Sequence, residues 1–343
     1  MNIPKTMRAL TVKGSGFSGT QEGPSIAALE PYLDFQEIPV PSLESGQLLI
    51  RVRLANINPS DLHFIKGEYG IPRIAGKPGG FEACGDVAAA GEGAEKLIGK
   101  RVAFIATQSG AWAEYAVSDT RSATVMPDAV RDEDAAAFYV NPLTAVAMFE
   151  IARVEGAGAF LMSAAASQLG KLLAGLARDE GVKAIALVRR AEHVEPVKQL
   201  GATEAFDVSA EGAMTRIAET MKSLKPRVFL DAVCDRISSD VFFAMPARAH
   251  WIVYGRLGGD DARLTQPGQF IFMDKQIRGF WLTQWLREQP KETVARAFTT
   301  VIDRFATGKW HTDVSAIVPL AEAHAKLPAL LGQPNAGKVM LRP

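Results

Sequence analysis

The sequence predicts an α/β protein in which a doubly wound parallel sheet domain is combined with a mostly antiparallel β domain. Before about residue 137, short apolar runs rich in β-branched residues alternate with turn sequences such as Lys77-Pro-Gly-Gly80, which is typical of irregular β structure. After it, strand-like and helix-like segments alternate, which favours a parallel sheet covered by helices. A chain of 343 residues has room for two such domains.

Composition excludes several classes of protein. Apolar residues make up 48% and charged residues 22%, as in ordinary globular chains. The 38 Lys and Arg residues balance the 38 Asp and Glu residues, so we expect neither nucleic acid nor a membrane surface as a partner. Two cysteines, Cys84 and Cys234, are too few for a disulfide framework or a four-cysteine metal site. No apolar signal core follows the N-terminus, and we expect a cytoplasmic, reducing location.

In the first part of the chain, strands are expected at 47–54 and 100–106, whereas 14–32 fits neither pattern and is interpreted as a loop insertion. In the second part, the predicted strands are 160–162, 184–188, 205–206, 228–233, 251–254 and 277–282. Predicted helices include 168–179, 214–224 and 291–305. The final helix and strand are expected to return to the β domain, which takes residues 1–137 and 285–343 and leaves 138–284 for the parallel sheet domain.

A candidate phosphate-binding turn follows the first strand of the parallel sheet. Strand 160–162 runs into Ser163-Ala-Ala-Ala-Ser-Gln-Leu-Gly170 and then into a helix. In the dinucleotide fingerprint G-x-G-x-x-G, small residues permit the tight turn, the approach of the pyrophosphate and close helix–strand packing. The three positions here hold Ala165, Ser167 and Gly170. All three are small but only one is glycine, so an ordinary turn remains an alternative on this pattern alone.

Two arginines after the next strand indicate which dinucleotide would bind. Arg189 lies 19 residues after Gly170, close to the offset of about 20 at which NAD-binding folds place an acid on the ribose 2′-hydroxyl. Arg189 and Arg190 suit a 2′-phosphate instead, because guanidinium binds phosphate through two hydrogen bonds. The combination predicts NADPH, with solvated surface arginines as the alternative. Tyr254 and Gly255, at the end of a later strand, lie where open α/β sheets bind ligands.

With these residues, the chain resembles the medium-chain dehydrogenase/reductase superfamily, in its zinc-free, quinone-reductase-like branch. Within the branch it is most similar to the mitochondrial-type 2-enoyl thioester reductases. Ile57-Asn-Pro-Ser-Asp-Leu62 and Ile65-Lys-Gly-Glu-Tyr-Gly70 resemble their catalytic loop. Asn141-Pro-Leu-Thr-Ala145 resembles the helix that meets the nicotinamide, and Arg278-Gly-Phe-Trp-Leu282 resembles a segment distinctive of those reductases. The resemblance implies a Rossmann domain for NADPH and a GroES-like catalytic domain.

The resemblance also implies roles for individual residues. Tyr69 matches the tyrosine proposed as proton donor in the family, and a phenol is protonated at neutral pH. The alternative for Tyr69 is a loop aromatic that shapes the pocket without taking part in catalysis. Asn58 is the second catalytic candidate, and its alternative is a structural role, because Asn-Pro is also common in turns and at helix starts. Residues expected at the cofactor are Asn141, Thr144, Ala165, Ala166, Ser167, Gln168, Leu169, Arg189, Arg190, Tyr254, Gly255, Phe280, Trp281 and Leu282.

The resemblance predicts no metal. Zinc alcohol dehydrogenases share the architecture, but the positions of their catalytic cysteine and histidine resemble Asn58 and Phe81 here. Asp61 and Glu82 are therefore expected to be structural or hydrogen-bonding residues. Cys234-Asp235 departs from the glycine pair of many relatives. Arg256 is expected near the nicotinamide pocket, where a substrate contact and a solvent-facing role both remain open.

The sequence thus predicts an NADPH-dependent, zinc-independent reductase of activated C=C bonds in 2-enoyl thioesters or enones, acting by hydride transfer. An NADPH:quinone oxidoreductase is the first alternative, and an NADPH-binding protein without useful catalysis is the second. The only partner expected besides the small-molecule substrate is a second copy of the chain. The resemblance implies a homodimer formed through the edge strand of the nucleotide domain.

Overall fold

The structure is a computed structural model that describes residues 3–107, 110–333 and 336–343. It divides into two compact units, Met1–Asn141 with Ile302–Pro343, and Pro142–Val301. The sequence places the same two divisions near 137/138 and 284/285, so the unit boundaries lie a few residues later at the first division and about one helix later at the second.

Strands and helices follow one another through the described residues. In chain order the strands are β1 (Thr6–Val12), β2 (Leu33–Pro39), β3 (Gln47–Asn56), β4 (Glu82–Ala90), β5 (Arg101–Ile105), β6 (Tyr115–Asp119), β7 (Ala123–Val125), β8 (Ala159–Met162), β9 (Lys183–Val188), β10 (Glu204–Asp207), β11 (Val228–Asp231), β12 (His250–Val253), β13 (Gln276–Gly279), β14 (Val314–Pro319) and β15 (Lys338–Arg342). The helices are α1 (Pro59–Lys66), α2 (Asp132–Ala136), α3 (Val140–Glu155), α4 (Gln168–Asp179), α5 (Val194–Leu200), α6 (Ala213–Leu224), α7 (Arg236–Ala244), α8 (Gly268–Phe272), α9 (Leu282–Glu288), α10 (Lys291–Ala306) and α11 (Ala323–Leu331).

The first unit is built on two β-sheets. Strands β1 and β2 form an antiparallel pair, and a seven-stranded sheet runs β14-β15-β3-β4-β5-β7, with β6 paired to β3. All pairings in it are antiparallel except β14 with β15. The mostly antiparallel β domain and the return of the C-terminal strand to it are confirmed. The core includes Trp112, Phe104 and Leu48, none of which is exposed.

The second unit is a doubly wound parallel sheet, as predicted. Its strand order is β10-β9-β8-β11-β12-β13, and every pairing is parallel. This order corresponds to 3-2-1-4-5-6, the Rossmann arrangement, whose switch point lies between the first and fourth strands. Here these are β8 and β11, which are almost wholly apolar because helices cover both faces of such a sheet.

One predicted element of this unit is wrong in part. The predicted strand 277–282 is shorter in the structure, because β13 ends at Gly279 and α9 begins at Leu282. The apolar run misled the prediction, since Phe280, Trp281 and Leu282 are all partly exposed residues of a strand-to-helix connection. The loop interpretation of 14–32 is confirmed, with a single bridge between Gly16 and Arg73. Among the described residues no helix is both long and apolar enough to cross a membrane.

Candidate functional site

The predicted phosphate turn lies between β8 and α4 in the second unit. Ser167 is the N-cap residue of α4, and its Oγ accepts a hydrogen bond from the Gly170 N–H at 3.2 Å. Ala164 has a positive φ of 47°, which turns the chain sharply after β8. The Ala165 N–H donates to the Leu187 carbonyl at 3.1 Å and so fixes the turn beside the end of β9. The 12-residue helix presents its N-terminus at this turn, and a helix N-terminus attracts anions.

Gly170 has the packing role that the third glycine of a dinucleotide fingerprint performs. A Cβ placed on it would lie 2.4 Å from the Ala165 carbonyl oxygen and 2.6 Å from the Ala165 Cα. Both atoms belong to the backbone and cannot move aside easily, so a larger residue would push the helix away from the turn. Ala165 and Ala166 are buried, and Leu169 anchors the first turn of α4 in the core. Gln168, the first helical residue, is partly exposed.

Arg189 and Arg190 follow directly on the last residue of β9 and are both exposed. Arg190 donates to the Glu192 carboxylate at 3.3 Å, and its side chain is 60% exposed. Because β8 and β9 are parallel neighbours, the phosphate turn and these arginines lie at the same, carboxyl edge of the sheet. A phosphate held at this turn would therefore lie at the same edge of the sheet as two exposed cationic side chains.

Sequence reasoning missed the residue that joins the strand ends at the switch point, Asp231. Its buried carboxylate accepts hydrogen bonds from Ser163 Oγ at 2.5 Å, Trp251 Nε1 at 2.9 Å and the Cys234 N–H at 3.1 Å. Burial raises the pKa of Asp231, and the hydrogen bonds from Ser163 and Trp251 oppose that effect. An acid closing the apolar strand Val228–Asp231 was the available signal. Ser163 also accepts from the Ala232 N–H at 2.8 Å, which ties β8 to the loop after β11.

The remaining predicted residues of the second unit lie on two neighbouring strand ends. Tyr254 directly follows β12, and its N–H donates to the Asp231 carbonyl at 2.9 Å. A Cβ on Gly255 would lie 2.9 Å from the Ala232 carbonyl oxygen, so the two loops pack closely there. The Phe280 N–H donates to the Val253 carbonyl at 2.9 Å. Trp281 caps α9, and Leu282 is its first residue.

Three further residues stand where the chain departs from the family pattern. Cys234 adopts a positive φ of 57°, a conformation that suits glycine better than any residue with a Cβ. Asp235 caps α7 by accepting the Ser238 N–H at 2.8 Å. Arg256 donates to the Asp261 carboxylate at 3.2 Å and is partly exposed.

Asn141 and Thr144 lie on one face of α3, because residues three apart in a helix are neighbours. Thr144 is 7% exposed and Asn141 is partly exposed. The residues at the start of this helix, up to Asn141, belong to the first unit. Glu82, the first residue of β4, accepts hydrogen bonds through Oε2 from the N–H groups of Tyr139 and Val140, both at 2.9 Å. The carboxylate thereby satisfies backbone donors that a helix N-terminus leaves unpaired.

Glu82 also holds the predicted catalytic loop. Its Oε1 accepts from Asn58 Nδ2 at 2.7 Å and from Asn56 Nδ2 at 2.8 Å. Asn58 is 1% exposed and is the N-cap residue of α1. Its own N–H donates to Asp61 Oδ2 at 2.7 Å, and Asp61 Oδ1 accepts from the Phe81 N–H at 2.8 Å. The predicted structural roles of Asp61 and Glu82 agree with these contacts.

A lysine from the C-terminal strand completes this buried network. Lys338 Nζ donates to Asn58 Oδ1 and contacts the Ile57 carbonyl at 3.4 Å. Burial, together with the nearby Glu82 carboxylate, raises the pKa of Asp61 to about 7 against the pull of its hydrogen bonds. Burial lowers the pKa of Lys338, and the carboxylates of Glu82 and Asp61 oppose that effect. The sequence analysis did not identify Lys338, because no local pattern marks it as a partner of Asn58, which lies 280 positions away.

Tyr69 lies three residues beyond α1. The helix ends at Gly67, whose φ of 80° is left-handed and is accommodated by glycine. The Tyr69 ring packs against the Phe81 ring with centroids 5.1 Å apart, and the Phe64 ring also packs against Phe81 at the same separation. The tyrosine is therefore carried by a loop that begins at a rigid helix end and is supported by an aromatic cluster.

The residues around Asn58 do not fit a catalytic zinc ion. Such an ion needs three protein ligands from His, Cys, Asp or Glu, and the part of the chain that the structure describes contains no such group. At the two positions where zinc enzymes are expected to place a cysteine and a histidine stand Asn58 and Phe81. The Asn58 oxygen already accepts a hydrogen bond from the Lys338 ammonium, and a metal there would face that cation.

Comparisons with known proteins agree with the fold. Residues 44–128 match the alcohol dehydrogenase GroES-like domain family, and residues 169–300 match the zinc-binding dehydrogenase family. A crystal structure described as a putative NADPH:quinone reductase from Mesorhizobium loti is 49% identical, covers 100% of both chains and has a TM-score of 0.95. The mitochondrial 2-enoyl thioester reductase heterodimer from Candida tropicalis is 20% identical, with a TM-score of 0.81 over 98% of this chain and 100% of its own. Mitochondrial enoyl-[acyl-carrier-protein] reductase from Bos taurus is 24% identical over 93% of this chain and 89% of the bovine protein.

A Rossmann sheet with a phosphate turn, in one chain with an antiparallel β unit, defines the class of two-domain dehydrogenases and reductases. Within that class, the chain belongs to the medium-chain dehydrogenase/reductase superfamily.

Proposed function

We propose that this protein is an NADPH-dependent reductase of activated C=C bonds in 2-enoyl thioesters or enones. The single observation that carries the proposal is the phosphate turn, in which Gly170 packs on Ala165 while exposed Arg189 follows the next strand. The relatives supply the reaction class, because the curated proteins of Bos taurus and Arabidopsis thaliana that match most of the chain are both enoyl-[acyl-carrier-protein] reductases.

NADPH fits the turn for three physical reasons. The absent side chain of Gly170 lets α4 pack closely on the turn. The first turn of α4 offers backbone N–H donors, and Arg189 supplies the charge for a 2′-phosphate. We assign Ala166, Ser167, Gln168 and Leu169 to the pyrophosphate. The ribose phosphate is assigned to Arg189 and Arg190, and the rest of the cofactor to Asn141, Thr144, Tyr254, Gly255, Phe280, Trp281 and Leu282.

When bound, NADPH supplies a hydride for the β-carbon of the alkene. Negative charge then develops on the substrate carbonyl oxygen and requires hydrogen-bond donors. Tyr69 is our candidate donor, since its phenol can give a hydrogen bond or a proton at neutral pH. The amide of Asn58 is hydrogen-bonded to Glu82 and Lys338, which supports a role in holding the loop. A direct catalytic role for Asn58 remains a prediction.

The test is NADPH oxidation by the purified protein with a crotonyl thioester, a simple enone and a quinone. The proposal expects turnover with the first or the second at a kcat/KM well above that with the quinone. Quinone turnover alone supports the alternative, an NADPH:quinone oxidoreductase, which the 49% identity to the Mesorhizobium loti protein favours. No turnover with any of the three, together with tight NADPH binding, supports the binding protein without useful catalysis.

Reduction by this protein is proposed to need no zinc. The support is the arrangement around Asn58, whose side-chain amide is already hydrogen-bonded to the Lys338 ammonium and to the Glu82 carboxylate. Elemental analysis of the purified protein should find far less than one zinc per chain, and chelators should leave turnover unchanged. One zinc per chain that is lost together with activity would defeat this part of the proposal.

We further propose a homodimer formed through the edge of the parallel sheet. Within the described residues β13 pairs only with β12, and all of its residues are exposed. An exposed edge strand is a template for pairing with another chain. Ile271 and Phe272 on neighbouring α8 are 76% and 85% exposed. Light scattering should give twice the chain mass of 36.9 kDa, and Phe272→Asp should shift it toward the monomer, whereas Phe17→Asp in the other unit should not.

A cytoplasmic location is also proposed. Both cysteines are free thiols, with Cys84 buried in the first unit and Cys234 partly exposed in the second, which suits a reducing compartment. Cell fractionation with compartment markers tests the proposal, and co-fractionation with an organelle, as the names of the mitochondrial relatives suggest for those proteins, would overturn it.

A further inference from the structure

We propose that Glu68 is a positioning residue for Tyr69, held in place by the loop insertion at residues 14–32. The inference rests on the proposed function, in which Tyr69 serves the reduction of enoyl substrates. It assigns a purpose to a segment that has no regular secondary structure apart from the bridge at Gly16, and to a carboxylate that the mechanism does not otherwise use.

The Glu68 carboxylate is almost fully buried, with a side chain 3% exposed, and the insertion surrounds it with donors. Its Oε1 accepts from the Glu22 N–H at 2.7 Å and from Thr20 Oγ1 at 2.9 Å. Its Oε2 accepts from the Gly23 N–H at 3.1 Å. These donors come from one short stretch of the insertion, and Glu68 immediately precedes Tyr69.

The carboxylate is held as an anion. Burial alone would raise its pKa, but the hydrogen bonds from Glu22, Thr20, His63 and Gly23 together lower the pKa of Glu68 below its usual value. His63 Nδ1 lies 3.2 Å from Oε2, on the side of α1. Hydrogen bonds to an ionised acceptor are roughly twice as strong as neutral ones, so this anion can fix the backbone on which it stands.

A second contact clamps the chain on the far side of Tyr69. The Arg73 guanidinium donates to the Ile65 carbonyl at 2.9 Å and to the Gly16 carbonyl at 3.3 Å. A Cβ on Gly67 would lie 2.7 Å from the Arg73 Cζ, and one on Gly14 would lie 2.8 Å from it. The guanidinium thus lies between a glycine of the helix end and a glycine of the insertion.

Lys66 provides a third contact with the insertion from the last turn of α1. Its Nζ is buried and donates to the carbonyls of Gly23, at 3.0 Å, and Ser25. The stretch from Lys66 to Arg73 is therefore tied to the insertion at both ends, with Tyr69 between them. Displacements of about 1 Å at a catalytic group can lower rates by about a hundredfold, which gives such a clamp a catalytic effect.

The alternative is that Glu68 only stabilises the loop. Glu68→Gln separates the two, because it keeps the size of the side chain and removes its charge and one accepting oxygen. We expect kcat with crotonyl thioester to fall by about tenfold to a hundredfold. NADPH affinity and quinone turnover should stay within about threefold of wild type, because reduced quinone can take its proton from water. Glu30→Gln, an exposed acid on the same insertion, is the matched control and should behave as wild type.

A double-variant cycle tests whether Glu68 acts through Tyr69. If it does, Glu68→Gln should cause little further loss of enoyl turnover in a protein that already carries Tyr69→Phe. Losses that multiply, or equal losses with enoyl and quinone substrates, would overturn the proposal. Thr20→Val removes one donor from an exposed position and should give a smaller loss in the same direction, even if Glu68→Gln folds poorly.

Hydrogen exchange gives a readout independent of activity. Amide exchange at 20–23 and 67–70 should accelerate in Glu68→Gln while the rest of the first unit keeps its wild-type protection. Unchanged exchange at 67–70 would overturn the proposal, whatever the activities are. Absence of enoyl reduction in the wild-type protein would instead count against the proposed function, and the exchange result would still decide whether Glu68 orders the Tyr69 loop.

Discussion

The ammonium of Lys338 donates a hydrogen bond to the side-chain oxygen of Asn58, which lies 280 positions earlier in the chain. The same asparagine donates to Glu82, and its N–H donates to Asp61. The loop that begins α1 is thus held by a buried cluster of two acids, one cation and an amide. We expect this cluster to dominate the response of the first unit to mutation and to pH.

Lys338→Met should destabilise the protein by about 1–3 kcal/mol, because it leaves the buried Asn58 oxygen without its charged donor and removes a cation near Glu82 and Asp61. Urea unfolding at neutral pH measures the change. Lys326→Met is the matched control, since Lys326 is an exposed lysine on α11, and it should change the free energy of unfolding little. A loss below about 1 kcal/mol for Lys338→Met would show that the cation is dispensable.

Asp61 should make stability depend on pH in a defined window. Its pKa of about 7 in the folded protein exceeds the value of about 3.9 expected when unfolded. Between these values the folded state holds a proton that the unfolded state has lost, so stability falls as pH rises from about 4 to 7. Relative to Asp61→Asn, the wild type should lose up to about 1.4 kcal/mol per pH unit.

Urea unfolding of both proteins at several pH values between 4.5 and 8 measures this difference, and comparison of the two cancels the other titrating groups. The difference should flatten above pH 7. Asp128→Asn, at an exposed acid of the same unit, should follow the wild-type curve. A constant offset between wild type and Asp61→Asn across the window would contradict the raised pKa.

Arg189→Ala should weaken NADPH binding by about tenfold to a hundredfold and leave NADH binding nearly unchanged. The reason is the loss of one charged contact to the 2′-phosphate, on the order of 1–3 kcal/mol. Titration of both nucleotides against the variant and against Arg121→Ala, an exposed arginine of the other unit, measures it. Equal affinities for NADPH and NADH in the wild type would end the assignment.

Tyr69→Phe should lower kcat with an enoyl substrate by about 10²–10⁴-fold, the usual contribution of general acid catalysis. The ring and its contact with Phe81 are preserved, so NADPH affinity should hardly change. Quinone turnover should suffer much less. A variant within about threefold of wild type on the enoyl substrate would reduce Tyr69 to a pocket wall and move the quinone alternative ahead.

The sequence was a good guide where local patterns decide the structure. The helix predicted at 168–179 has the same bounds as α4, because the sequence there shows an apolar strand, a small-residue turn and an amphipathic helix in direct succession. The role of Gly170 could also be predicted, since the fingerprint assigns close packing to its third position. The family resemblance supplied the fold of both units.

What could not be predicted depends on contacts between distant parts of the chain. Nothing near Lys338 or Glu68 in the sequence identifies their partners, because hydrogen bonds to Asn58 and to the Glu22 N–H exist only once the sheet and the insertion are folded. Asp231 was hidden for the same reason. The strand predicted at 277–282 is too long, because Phe280, Trp281 and Leu282 look like a buried apolar run but are partly exposed, and α9 begins at Leu282.

Deuterium tracing tests the central claim most directly. Wild-type protein would be given crotonyl thioester and NADPH that carries deuterium at the transferable C4 position, and the butyryl product would be analysed by mass spectrometry and NMR. Hydride transfer to an activated alkene predicts one deuterium on the β-carbon and, in ordinary water, a hydrogen from solvent on the α-carbon. Consumption of NADPH without deuterium at the β-carbon, or no butyryl product at all, would contradict conjugate reduction by this protein.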